Sequence, residues 1–160
     1  MTKYNIVPNS LIGTAFISES DTRQYNYPEG KFPKGSVVME IDSDMEDMLI
    51  DNYDFPIVTS DFRDLILKKG VSELSFDPID FLNIGLNLRA NKPNYGFTKD
   101  SFWKLNIADG GKDFIKWKSH LVVSEKALHF LYETKAFADF DEGISLGPVS
   151  YTHLTLPTKA

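Results

Sequence analysis

The stretch Pro56–Pro78, PIVTSDFRDLILKKGVSELSFDP, carries the clearest structural signals in the chain. Ile57 and Val58 make a short apolar lead-in strand. Ser60 stands where a helix N-cap belongs, because its hydroxyl can accept a bond from a free backbone N–H of the first turn. Asp61 behind it suits the positive end of the helix dipole. Phe62, Leu65 and Ile66 fall on one face at helical spacing, with Lys69 continuing the row. Lys68 and Lys69 occupy the last turn, where cations are favoured, and Gly70 takes the following position, which calls for positive φ. Leu74–Phe76 then reads as a second strand closed by Pro78.

A second helix has the same grammar. In Ser124–Tyr132, SEKALHFLY, Ser124 is the cap, Glu125 follows it, and Ala127, Leu128, Leu131 and Tyr132 make an apolar face. Val58-Thr59-Ser60-Asp61 is echoed by Val122-Val123-Ser124-Glu125, and Phe76 and Phe140 stand at the same offset from their serines. Good capping chemistry recurring explains this better than a duplicated domain.

Outward from these helices, the chain offers mainly strands. Lys3–Pro8 predicts an edge strand, since Pro8 cannot donate to a ladder. Leu11–Ile17 and the β-branched Ser36–Ile41 predict two more, separated by the polar, turn-rich Glu19–Lys34. Ile79–Leu88 is apolar and either continues the preceding strand or forms a short helix. Ala90–Gly96 reads as a turn, Thr98–Trp103 as a turn or short helix, and Asp109-Gly110-Gly111 as a strong turn. Phe114–Trp117 reads as a strand, and Leu121–Val123 as a brief lead-in. The expected fold is therefore α+β: a single domain over 1–146, with a mainly antiparallel sheet and two principal helices capped at Ser60 and Ser124.

The chain has 160 residues, 42% of them hydrophobic, including 12 Phe, 7 Tyr and 2 Trp, enough for an ordinary core. There is no Cys, which removes disulfides and thiolate metal sites and fits a reducing compartment. No apolar run reaches the length of a membrane span, and the N-terminus lacks the apolar core of a secretion signal. A cytoplasmic protein is the expectation. The net charge of −6 argues against nucleic acid as a partner and suits a basic one.

The last residues differ from the rest. Pro148–Thr158, PVSYTHLTLPT, resembles the in-frame translation of a synthetic DNA adaptor used in transposase-based sequencing libraries. The segment 147–160 is accordingly read as a non-native tail and excluded from site reasoning, together with His153.

The most biased stretch is Glu40–Asp54, which holds seven acids and no basic residue. Met45, Met48, Leu49 and Asn52 would give it a short helical face. Its Asp42-Ser43-Asp44-Met45-Glu46-Asp47 alternation is that of a calcium loop. However, Asp47 stands where the sharp turn needs Gly, and Tyr53 where the bidentate Glu belongs. No metal site or cofactor is expected. The partner-binding candidates are Asp42, Asp44, Glu46, Asp47 and Asp51. Hydrolytic chemistry finds no anchor: His120 and His129 lack metal spacing, there is no G-x-S-x-G, and Ser60 and Ser124 are better explained as caps. Nothing singles out a pair of carboxylates for acid–base work. Gly110-Gly111 lacks the Lys-Ser/Thr helix start of a phosphate loop. Trp103 and Trp117, with Phe97, Phe102 and Phe114, are expected to build core.

The pattern apolar-x-Ser-acid, helix, then Gly-apolar-x-x-apolar-x-Phe-x-Pro stands here as Val58-Thr59-Ser60-Asp61 … Gly70-Val71-Ser72-Glu73-Leu74-Ser75-Phe76-Asp77-Pro78. It resembles a signature of immunity proteins of bacterial polymorphic toxin systems, in a group long catalogued as a domain of unknown function. Leu121–Phe140, with its Val-Val-Ser-Glu-Lys-Ala start, resembles a second block of that group. Together they span roughly Asp54–Ile144. The resemblance implies a non-enzymatic, cytoplasmic protein that binds and neutralises a cognate toxin domain, with an acidic face suiting a basic toxin. A small carboxylate-using enzyme and a generic interaction module are the alternatives.

Overall fold

The computed structural model describes residues 3–6, 13–17, 35–44, 46–51, 55–117, 120–138 and 144–145. Its strands are β1 (Lys3–Ile6), β2 (Gly13–Ile17), β3 (Val37–Ile41), β4 (Leu49–Ile50), β5 (Ile57–Thr59), β6 (Leu74–Pro78), β7 (Phe81–Ile84), β8 (Phe102–Ile107), β9 (Phe114–Trp117), β10 (His120–Ser124) and β11 (Ile144–Ser145). The helices are α1 (Ser60–Lys69), α2 (Leu86–Asn91) and α3 (Glu125–Thr134), with a 3-10 turn at Lys99–Ser101. The expected α+β fold with two principal helices is the one observed: α1 and α3 have ten residues each and α2 only six.

The strands form three sheets, ordered β11-β1-β10-β9, β2-β3-β7 and β4-β5-β8-β6. Among the described residues, every pairing is antiparallel except β3 with β7. β5 and β8 partition the interior. Side chains on successive strand residues point to opposite faces, so Val58 joins one core and Ile57 the other; Leu105 and Phe102 divide the same way. The first core lies between this sheet, α1, α3 and the β1-β10 sheet, where Phe62 stacks on Phe130 at 5.8 Å between ring centroids. The second packs Met39, Ile41, Ile84 and Leu88 against Ile57 and Phe102. Pro78 ends β6, and the chain crosses to β7 through Asp80. Asp80 Oδ2 accepts the Val37 N–H at 2.8 Å, and the Asp80 N–H donates to Val37 O at 2.8 Å, which fixes the start of the parallel pair.

Several local expectations shift. The cap of α1 is Thr59, whose Oγ1 accepts the Phe62 N–H at 3.2 Å; Ser60 is the first helical residue. Ser124 is the cap of α3 as expected, accepting from Ala127 N at 3.1 Å. Gly70 ends α1 at φ 79°, as its position requires. α1 buries Phe62 and Ile66, whereas Leu65 is 37% exposed at the margin of that face. β1 is interior, because β11 pairs on its other side; Pro8 lies outside the described residues. The lead-in at Leu121–Val123 belongs to a full strand, β10, between β1 and β9. Ile79–Leu88 is both strand and helix, split at Gly85. The acidic run holds no helix in its described part: residues 42–44 and 46–48 are irregular and Leu49–Ile50 are paired with β5. Phe102 and Phe114 are buried, and Phe97 and Trp103 pack against the two cores from partly exposed positions. Met45, Asn52, the Trp117 side chain and the segment 146–160 lie outside the described residues.

Candidate functional site

The acidic segment after β3 runs alongside α2 and builds its N-terminus. α2 begins at Gly85, which offers no side-chain cap. The vacant position is taken from across the chain by Asp42, whose Oδ1 accepts the Asn87 N–H at 2.9 Å and the Leu88 N–H at 3.4 Å. Asp42 Oδ2 accepts the Asn87 side-chain amide at 2.9 Å. Gly85 is required by this arrangement, since a Cβ there would overlap the Asp42 carboxylate. At the far end of α2, Lys92 forms an ion pair with Asp44. The short helix is thus clamped at both ends by the same acidic run.

The five candidate acids separate. Asp42, Asp44 and Glu46 are exposed, and Asp47 is half-buried with its Oδ1 accepting the Ala138 N–H at 2.7 Å. Asp51 is 0% exposed, and its Oδ2 accepts the Leu121 N–H at 3.0 Å. Asp51 therefore falls out of any outward-facing set: just beyond β4 it is turned inward to join that strand's end to β10. Glu40, on β3, is half-buried; burial raises its carboxyl above the ordinary value, opposed by the hydrogen bond that Asn83 Nδ2 donates to it at 3.4 Å.

What the clamp presents is Leu86. It is the first residue of α2 and is 82% exposed, the most exposed large apolar side chain among the described residues. It precedes Asn87, which Asp42 holds by two groups, so an apolar knob projects from a fixed mount beside Asp42. Scattered exposed leucines are ordinary; this one is set on a short, doubly fixed helix amid unlike neighbours. Sequence reading missed it because Leu86 lies in the apolar run Ile79–Leu88 and looks like core. Gly85 was the available signal, as a break that ends the strand and turns the next residue outward.

A cleft of about 960 Å³ opens elsewhere, between the end of α1, the β8–β9 turn and α3. Its walls include Lys69, Glu73, Lys126, His129 and Glu133. Glu73 is engaged there: its carboxylate accepts the backbone N–H groups of Lys112, Asp113 and Phe114 at 2.8 to 3.2 Å. Asp113 Oδ1 accepts the Ser124 hydroxyl at 2.6 Å. These acids organise the turn. Among the described residues, no three His, Cys, Asp or Glu side chains come together as a metal-binding group, and no helix is long and apolar enough to cross a membrane. His129 sits on the exposed side of α3, and the His120 side chain lies outside the described residues.

No protein-family model, curated protein or solved structure matches this chain.

Proposed function

We propose that this protein works by binding another protein, as a cytoplasmic immunity protein that neutralises a cognate toxin domain. The observation that carries the binding part is Leu86: an exposed apolar anchor on a helix fixed by Asp42 at its start and by Asp44 at its far end. Interfaces draw most of their energy from a few well-mounted side chains surrounded by a polar rim. The exposed acids Asp42, Asp44 and Glu46 steer a basic partner and set the on-rate, and the apolar knob supplies affinity. The toxin as partner rests on the resemblance of Val58–Pro78 and Leu121–Phe140 to immunity proteins.

The test is co-expression of the full chain with the toxin domain encoded beside its gene, read as growth and as co-purification. Rescue with co-purification supports the proposal. Rescue without co-purification assigns reversal of damage instead, and no rescue by a folded protein removes the immunity reading. Leu86→Ser should weaken the complex by about 2 kcal/mol, on the order of thirtyfold in Kd. Asp44→Lys with Glu46→Lys should slow association and flatten its salt dependence. Asp42 is a poor probe of binding, because its loss also frees α2.

A further inference from the structure

We infer that β6 is a docking edge for an extended segment of a partner protein, which joins the β4-β5-β8-β6 sheet as an added antiparallel strand and carries a cation opposite Asp77. β6 is an outer strand of that sheet. Residues of an antiparallel strand bond alternately to one side and the other. The Leu105 N–H donates to Pro56 O at 2.9 Å, on the β5 side, so β8 does not engage Phe76, which stands opposite Leu105. The Ala108 N–H donates to Glu73 O at 2.9 Å and fixes the same alternation from the other end: Glu73, Ser75 and Asp77 bond inward. The Phe76 N–H and the carbonyls of Leu74, Phe76 and Pro78 therefore point out of the sheet, where no partner takes them among the described residues. The Leu74 N–H is turned back to Val71 O at 3.4 Å, and Pro78 has no N–H. Ser75, Asp77 and Pro78 are exposed, so solvent reaches this edge.

The groups on this edge select its occupant. A foreign strand centred on Phe76 exchanges two bonds with it and donates one N–H each to Leu74 O and Pro78 O. A second copy of β6, paired about the same residue, brings Pro78 opposite Leu74, where neither has an N–H to give, and only the two central bonds remain. A proline and an exposed charge are devices by which edges resist pairing with their own kind. Here they leave carbonyls open to a strand that supplies the donors. The charge follows from Asp77. The residue before the centre of the added strand stands opposite it in a non-hydrogen-bonded pair, the kind with the closer side chains. The Asp77 side chain is 53% exposed; Oδ2 accepts the Asn106 amide at 2.8 Å and is 3.7 Å from Lys104 Nζ, while Oδ1 takes no bond among the described residues. In a chain of net charge −6, a partner cation there is favoured and an anion repelled. The central residue and those two places away share the face of the half-buried Phe76 ring, which suits aliphatic side chains.

The probe is acetyl-Val-Lys-Val-Thr-Val-amide, titrated into the full chain and read at the Phe76 amide by NMR and hydrogen exchange. In the free chain the Phe76 N–H should exchange roughly tenfold faster than those of Ser75 and Asp77, which bond to β8. The peptide should shift the Phe76 amide saturably, with Kd on the order of millimolar, and slow its exchange. Methylating the backbone nitrogen of the central Val removes the donor to Phe76 O and should abolish the response. Methylating that of the Lys, which points away from the edge, should leave it. Lys replaced by Glu in the peptide should weaken binding about fivefold. Asp77→Asn, which keeps an oxygen for Asn106, should remove that preference and retain the protection of Phe76. No response at Phe76, equal loss from the two methylations, or equal binding of the Lys and Glu peptides would each overturn the inference. So would concentration-dependent protection of Phe76 in the chain alone, which would assign the edge to a second copy. None of these readouts involves Leu86 or a toxin, so the result stands apart from the immunity reading.

Discussion

Asp42 holds Asn87 by two separate groups, its Oδ1 accepting the backbone N–H and its Oδ2 the side-chain amide, each at 2.9 Å. A residue on the loop after β3 therefore serves as the cap of a helix that starts more than forty positions later. Replacing Asp42 with Ala should cost about 1 kcal/mol, the usual worth of a helix cap. Gly85→Ala should cost about 1–3 kcal/mol by driving a methyl into that carboxylate. The two costs should be less than additive, because removing the carboxylate makes part of the space the methyl needs. Urea denaturation of the double-mutant cycle measures the coupling; strict additivity would mean the two residues do not press on each other.

Thr59 and Ser60 have exchanged the roles that position alone would give them. Thr59→Ala should cost about 1 kcal/mol through the lost bond to Phe62 N, with Thr59→Ser close to neutral. Ser60→Ala should act at a distance from the cap. It leaves the Trp103 indole N–H without its acceptor, so the Trp103 side-chain resonance moves while amide exchange in the first turn of α1 stays unchanged. Faster exchange at Phe62 in Ser60→Ala would return the cap to Ser60.

This pair shows how far the sequence could be read. Strand, helix and stop signals in Val58–Pro78 are local, and local chemistry put α1, Gly70 and β6 within a residue or so of where they lie. The Ser124 cap and the turn at Gly110 are legible for the same reason. What failed was whatever depends on a distant segment. Thr59 or Ser60 can each cap in isolation; Asp100 and Trp103 decide, by engaging Ser60. β1 looked like an edge because of Pro8, and its second partner, β11, lies far along the chain where no local signal announces it. Asp42 and Asp51 are alike as letters in an acidic run, yet one faces α2 from the surface and the other is enclosed against β10. Charge bias located the neighbourhood of the candidate surface, and tertiary placement alone could sort its members and bring Leu86 among them.

Glu73 ties two sheets together through a single carboxylate. It precedes β6, and it accepts three consecutive N–H groups, the last of them from Phe114 at the start of β9, the outer strand of the β1-β10 sheet. Its own carbonyl accepts the Ala108 N–H at 2.9 Å. Glu73→Gln should cost about 2 kcal/mol, nearly as much as Glu73→Ala. The amide loses the charge assistance and turns a donor toward backbone donors. Hydrogen exchange should accelerate at Phe114 first. A Gln variant as stable as the parent would mean that solvent satisfies these groups equally well.

Glu40 makes stability depend on pH in the direction opposite to most surface acids. Its folded carboxyl titrates above the ordinary value of 4.5, chiefly because burial disfavours the charged form, with the Asn83 bond pulling the other way. In the window between 4.5 and that raised value, the folded chain binds more protons here than the unfolded chain does. Stability contributed by this residue is therefore full below 4.5 and falls as pH climbs through the window, leaving a constant penalty at neutral pH. Glu40→Gln removes the ionisation and keeps an oxygen for Asn83. It should raise Tm modestly at pH 7, and the advantage should vanish in scans below pH 4.5. A gain that persists unchanged into acid would show that the benefit comes from packing on β3 and not from the charge.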